Sequence, residues 1–164
     1  MDMNKLALCG GIWFILTMVH FFVDWIFQTH AEAMVKHNKP KVRLKHCLVY
    51  TIGFIPVMFL LNLQLWEIYA GCAILFLSHF IEDTYVPVFL WAKYVRRPPE
   101  MTVSGRSTIR RLVRKGRELV PYPRNDKEGF EIFAGTPIGK ILVIVVDQII
   151  HILFLLPLVW LAMN

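Results

Sequence analysis

Four long apolar blocks constrain this chain more than any other feature of it. They run approximately Leu6–Phe27, Cys47–Trp66, Ile68–Ala92 and Ile138–Ala162. Each is long enough to cross a hydrocarbon core, which takes about 20 helical residues. A soluble domain would break its apolar residues into amphipathic stripes instead. The chain is 56% hydrophobic with a mean hydropathy of +0.51, which agrees with the blocks. The expected fold is all-α: a polytopic membrane helical bundle with four transmembrane helices, residues 1–164 making one transmembrane domain. The very short turn at Asn62–Glu67 joins the second and third spans as a helical hairpin. Pro56, Pro87 and Pro157 fall inside spans, where neighbouring helices can satisfy the carbonyls that they free.

The orientation has two independent supports. Of the 18 Lys and Arg residues, five lie in Gln28–His46 and eleven in Lys93–Pro137. The positive-inside rule places both of these loops in the cytoplasm. Four spans separately require the first and third loops to share a side. Both termini are then expected outside, in a multi-pass protein of the bacterial inner (cytoplasmic) membrane. The net charge of +6 reads as this loop bias rather than as a nucleic-acid surface. The long basic loop also lacks the interleaved aromatics that base stacking needs, so no nucleic-acid partner is expected. Its segment Thr108–Leu119 reads either as a short basic helix on anionic lipid or as a solvated loop. Gly116 weakens the helix, and Val120-Pro121-Tyr122-Pro123 ends it.

Cys9, Cys47 and Cys72 form no close-spaced pair, so neither a disulfide framework nor a cysteine zinc knuckle is expected. The first block holds His20 and Asp24 and has no small-residue cleavage site, and so reads as a retained helix rather than a signal peptide.

Three of the four spans carry an imidazole and a carboxylate four residues apart: His20 with Asp24, His79 with Asp83, and Asp147 with His151. That spacing stacks both side chains on one helix face. His46 opens the second span. Any one of these residues alone is more simply a packed polar group, and Glu82 beside Asp83 reads as ordinary polar packing. Cost changes the argument for the set. An Asp at the centre of a span costs about 2.5–3.5 kcal/mol on insertion scales, so three cost roughly 8–10 kcal/mol. Such residues must face the bundle interior, where they pair, bind a cation or line water. At about 1.5 Å per residue, all seven lie in the cytoplasmic half of their spans. Four imidazoles and three carboxylates suit one or two divalent metals, zinc before manganese or iron, since mixed nitrogen and oxygen donors are unlike an all-oxygen calcium cage. The rival reading is a proton or ion relay.

The same residues resemble an uncharacterised family of bacterial and phage membrane proteins, domain of unknown function 3307. The resemblance rests on His20-Phe21-Asp24-Gln28, His46, His79-Phe80-Asp83 and Asp147-Gln148-His151 in order, with Lys36-His37-Asn38-Lys39 after the first motif. It covers nearly the whole chain and implies the architecture rather than an activity. More distantly, the His/Asp pattern is similar to inner-membrane metal-dependent hydrolases.

Two functions from different classes follow as expectations. The first is a membrane-embedded metallohydrolase, open to the cytoplasmic side and acting on a phosphorylated lipid or similar amphipathic ester. Its metal ligands are His20, Asp24, His79, Asp83, Asp147 and His151, with His46 as a ligand or general base at the mouth. Gln28 and Gln148 orient those ligands, and Lys140 attracts phosphate. The second is non-enzymatic: a metal-ion or proton pathway, or a phage-type factor that binds a host membrane protein. The outward halves of the first, third and fourth spans are almost wholly apolar, which argues against a continuous path.

Overall fold

The computed structural model describes residues 2–97, 112–115, 118–121 and 126–163. Their elements, in chain order, are α1 (Met3–Ile26), α2 (His30–Val35), α3 (Pro40–Leu60), α4 (Leu65–Glu82), α5 (Val86–Trp91), β1 (Leu112–Lys115), β2 (Glu118–Pro121), α6 (Asp126–Gly135), α7 (Pro137–Leu153) and α8 (Leu156–Met163). A π-helical turn, Ala92–Arg96, follows α5. Four segments are long and apolar enough to cross a membrane: Met3–Ile26, Pro40–Leu60, Leu65–Glu82 and Pro137–Met163. The four-span helical architecture expected from the apolar blocks is therefore present. Its contacts divide into two compact units, residues 1–84 with 149–164, and residues 85–148.

Local chemistry sets where these helices start and stop. α1 begins at Asp2, whose carboxylate accepts from the Asn4 N–H at 3.1 Å. α3 starts at Pro40 rather than Cys47, because a proline with fixed φ suits the first helical position. It ends before Asn62, which adopts a left-handed φ of 58°, a conformation that Asn tolerates better than most residues. Glu67 then caps α4, accepting the Gln64 N–H at 2.7 Å.

Two spans are shorter or more broken than their apolar lengths suggest, and a proline explains each. The third block continues in hydropathy to Ala92, but α4 stops at Glu82 and Tyr85 turns left-handed at φ 60°. Pro87 cannot donate to the Asp83 carbonyl, and its ring clashes with that carbonyl in a continuous helix. Pro157 stands in the same relation to Leu153, where α7 ends before α8 resumes at Leu156.

In the first unit, α1 packs on α3 and α8, α3 on α4, and α4 on α8. Ile12, Leu16, Phe54, Met58, Leu75, Leu155 and Leu158 form the apolar core between them. Large apolar side chains also face outward, among them Phe14, Phe22, Trp25, Ile52, Phe59, Tyr69 and Ile81. Polar groups inside and apolar groups outside are the arrangement that a hydrocarbon solvent selects. α1 and α3 approach very closely at Gly53. A Cβ there would lie 2.6 Å from a Val23 methyl.

In the second unit, Leu112–Lys115 pairs antiparallel with Glu118–Pro121, in the register Leu112↔Pro121 to Lys115↔Glu118. This replaces the basic helix that one reading of Thr108–Leu119 expected; residues 108–111, 116 and 117 lie outside the described set. Val113, Leu119 and Val120 favour strand, and Gly116 disfavours a helix through this stretch. In the same unit, Lys93 pairs with Asp126 at 2.8 Å, and this hydrogen bond raises the pKa of the lysine.

Candidate metal centre

The buried polar residues of the first unit converge on one cluster. His20 and Asp24 come from α1, His46 from α3, His79 and Glu82 from α4, Asp83 from its C-cap and His151 from the last turn of α7. All seven are buried, His20 completely and His79 and Asp83 to within 1–2% exposure. The helical spacing seen in the sequence accounts for two pairs, His20 with Asp24 and His79 with Asp83. His20 and Asp24 share the inner face of α1 with Leu16 and Val23, while Phe22 and Trp25 face outward.

Four donor atoms define the centre of this cluster. His46 Nε2 lies 2.9 Å from Asp24 Oδ1 and 2.9 Å from His79 Nε2. Asp83 Oδ2 lies 3.6 Å from each of the two imidazole nitrogens, and His79 Nε2 lies 3.6 Å from Asp24 Oδ1. Ordinary hydrogen bonding cannot use all of these atoms. An ionised carboxylate only accepts, and a neutral imidazole nitrogen is either a donor or an acceptor. A proton on His46 Nε2 therefore has two partners at 2.9 Å and cannot point at both.

The rings are held from behind. The Tyr50 ring stacks on His79 with centroids 3.8 Å apart and planes 4° from parallel, while its hydroxyl bonds His20 Nδ1 at 2.9 Å. Tyr50 thus fixes two histidines from different helices. Cys47, the residue after His46, brings its sulfur near His79 and Asp83, and these form one of the donor groups able to hold a metal. A further such group is His79, Glu82 and His151. His151 Nε2 lies 3.3 Å from Glu82 Oε2 and 3.7 Å from Asp83 Oδ1.

Among the described residues, one lysine reaches this centre. Lys36 Nζ lies 2.7 Å from Asp83 Oδ1, 3.4 Å from His46 Nε2 and 3.9 Å from Asp24 Oδ1. The short helix α2 delivers it. Thr29 and Glu32 form a capping box at the start of α2, and Lys45 at the start of α3 bonds Glu32 at 2.6 Å. The Lys45 bond, with those from Thr29, lowers the Glu32 pKa to about 2. Beside Lys36, burial first and the Arg43 and Lys36 charges next hold the His37 imidazole below its usual pKa. Arg43 is itself buried, with its guanidinium 4.5 Å over the Phe80 ring and its Nη1 donating to the His37 carbonyl at 3.3 Å.

Of the residues singled out in the sequence, His20, Asp24, His46, His79, Asp83 and His151 come together here. His46 is buried in the centre rather than standing at a mouth. Gln28 sits just after α1, and its Nε2 makes no hydrogen bond among the described residues. Asp147, Gln148 and Lys140 belong to the second unit, the first two half-buried and Lys140 exposed. Sequence reasoning missed Lys36 and Tyr50 as members of the cluster and set Glu82 aside as ordinary packing. Tyr50 carried a signal, since it follows His46 by one helical turn. Glu82 carried a weaker one, three residues after His79.

A helical four-span membrane protein with a buried imidazole–carboxylate cluster is the class that this fold and site define. Residues 12–103 match the family described as a protein of unknown function, DUF3307, and the chain belongs to that family. The matched stretch holds Asp24, Lys36, His46, His79 and Asp83, while the Asp147–His151 motif lies beyond it. No curated protein and no solved structure matches the chain.

Proposed function

We propose that this protein is a membrane-embedded metallohydrolase that cleaves a phosphorylated lipid or similar amphipathic ester from the cytoplasmic side. The observation that carries the reading is the spread of the four central donor atoms. Five of their six separations, at 2.9–3.6 Å, bracket the ~3.3 Å edge of a tetrahedron whose metal–ligand bonds are about 2.0–2.1 Å. Asp24, His46, His79 and Asp83 are the ligands in this reading, and two imidazoles with two carboxylates suit zinc, with manganese or iron as alternatives.

A divalent ion held by these residues would supply a bound water of near-neutral pKa and a Lewis acid for the scissile oxygen. Hydrolysis would join a water oxygen to phosphorus or to the acyl carbon, and the ester oxygen would leave with a proton. Lys36 supports the anionic part of the substrate, a role that the sequence reading gave to Lys140 and other basic loop residues. An apolar tail fits the lipid-facing surface of α1 and α3, where Phe22, Trp25 and Ile52 are exposed.

A proton path draws on the same chain of close polar contacts. The apolar layer Leu16, Phe54, Met58, Leu75 and Leu158 weighs against it, because α1, α3, α4 and α8 each contribute to this buried layer.

Elemental analysis of the detergent-purified protein, beside an Asp24→Ala/Asp83→Ala variant, is the test. Stoichiometric metal in the parent, lost in the variant together with hydrolysis of phosphorylated lipid in mixed micelles, supports the proposal. Metal-free parent protein with intact hydrolysis, or bound metal without hydrolysis of any lipid ester, removes the metallohydrolase reading.

A further inference from the structure

We infer that the cluster holds a second divalent metal beside the first, with Glu82 and His151 as its own ligands and Asp83 as the bridge. This inference rests on the metal reading above and extends it from one ion to two.

The two oxygens of Asp83 face different partners. Oδ2 lies 3.6 Å from both His46 Nε2 and His79 Nε2, whereas Oδ1 lies 3.7 Å from His151 Nε2 and 2.7 Å from the Lys36 ammonium, which a metal bound to Oδ1 would displace. His151 Nε2 in turn lies 3.3 Å from Glu82 Oε2. These two distances match donor–donor edges around a metal as well as those of the central four do. His79, Glu82 and His151 also form a group whose ligand atoms all lie within 4.8 Å of one another. A carboxylate that gives one oxygen to each ion sets two metals about 3.5–4 Å apart, the separation at which both attacking and leaving oxygens of a displacement are clamped.

Sequence and charge agree with this assignment. The acid and imidazole pairs one helical turn apart follow the pattern by which helical bundles hold paired metals. Glu82 and Asp83 are adjacent carboxylates, both buried at 2–3% exposure at the end of α4. Among the described residues one lysine, the half-buried Lys36, reaches the cluster that contains Asp24, Glu82 and Asp83. With two divalent ions and Lys36, five positive charges stand against three carboxylates. The remaining two positive charges match a phosphate monoester dianion, which narrows the substrate class to a terminal phosphate rather than a diester or a neutral acyl ester.

The test counts metal and asks whether the ions are neighbours. The full-length protein in detergent is stripped, reloaded with manganese and compared with Glu82→Gln, which keeps the size of the side chain and removes its charge. Two ions in the parent and one in Glu82→Gln support the inference. So does an exchange-coupled manganese pair in the paramagnetic resonance spectrum of the parent, whatever the variant retains. One ion in both proteins overturns the second site and leaves the first standing. Two magnetically isolated ions in the parent also overturn it. No ion in the parent overturns the metal reading itself.

Discussion

The Nε2 atoms of His46 and His79 face each other at 2.9 Å, with a carboxylate oxygen of Asp24 equally close to His46. Two imidazoles approach in this way when a shared proton or a shared metal lies between them. The two cases respond differently to substitution.

Replacing either central carboxylate by its amide separates those cases. Asp24→Asn and Asp83→Asn each keep the side-chain volume and remove a ligand oxygen's charge. Each is expected to lower metal affinity by at least tenfold, which corresponds to about 1.4 kcal/mol. Equilibrium dialysis against buffered zinc reads this directly. Unchanged affinity in both variants means that the carboxylates do not bind metal.

Lys36→Gln has the opposite expected effect on metal. The ammonium now occupies Asp83 at 2.7 Å, and a hydrogen bond to a charged group contributes about 1.5–3 kcal/mol. Its removal is expected to tighten metal binding roughly ten- to hundredfold, while hydrolysis of a phosphorylated lipid falls. A variant with weaker metal binding shows instead that Lys36 organises the site rather than competing for it.

Tyr50→Phe keeps the ring stacked on His79 and deletes the hydroxyl bonded to His20. The expected loss is about 1–2 kcal/mol of stability, from an unpaired buried imidazole nitrogen, with the metal count unchanged. Thermal unfolding in detergent and elemental analysis of the same sample check both parts. Loss of metal with full stability places His20 among the ligands.

Gly53→Leu tests the close approach of α1 and α3. A Cβ at this position already collides with Val23, so the helices must separate. Overpacking of this kind costs about 1–3 kcal/mol, and Asp24, the neighbour of Val23, moves away from His46. Both the melting temperature and metal affinity are expected to fall. If the larger side chain leaves both unchanged, α1 and α3 do not approach at Gly53 as described.

Glu32 gives a pH prediction outside the spans. Its pKa in the folded chain is about 2, below the ordinary 4.5, chiefly through its bond to Lys45. A depressed carboxylate contributes stability above the unfolded pKa and loses that contribution as pH falls through the folded one. The link between α2 and α3 is therefore expected to be complete above pH 4.5 and to weaken only towards pH 2. Carbon-detected NMR titration of the Glu32 carboxyl follows it, and a midpoint near 4.5 means that the link does not form.

Much of the bundle was legible because burial in lipid demands long apolar runs, and the four spans stand in the sequence as such. Spacing of four residues also put His20 with Asp24 and His79 with Asp83 on shared faces before any helix was oriented. What spacing cannot supply is rotation about each helix axis, and rotation decided that Tyr50 and Glu82 join the cluster. Hydropathy could not reveal the end of α4, because the residues after Asp83 stay apolar while Pro87 and the left-handed Tyr85 break the backbone. Lys36 was hidden for a different reason. It lies in a basic stretch where most lysines are solvated, and its place at the end of α2 brings it to Asp83.

Asp24 lies in the last turn of α1, and α4 terminates at Glu82 with Asp83 as its cap. Both helices therefore aim their carboxyl ends at the cluster, and each such end carries roughly half a negative charge from its unpaired carbonyls. The peptide backbone itself makes a potential well for cations, shielded from water by the surrounding helices. A cation reaching the cluster meets a field set by chain direction as well as by side chains. Inverting the direction of either helix would abolish this field while leaving every acidic residue in the composition.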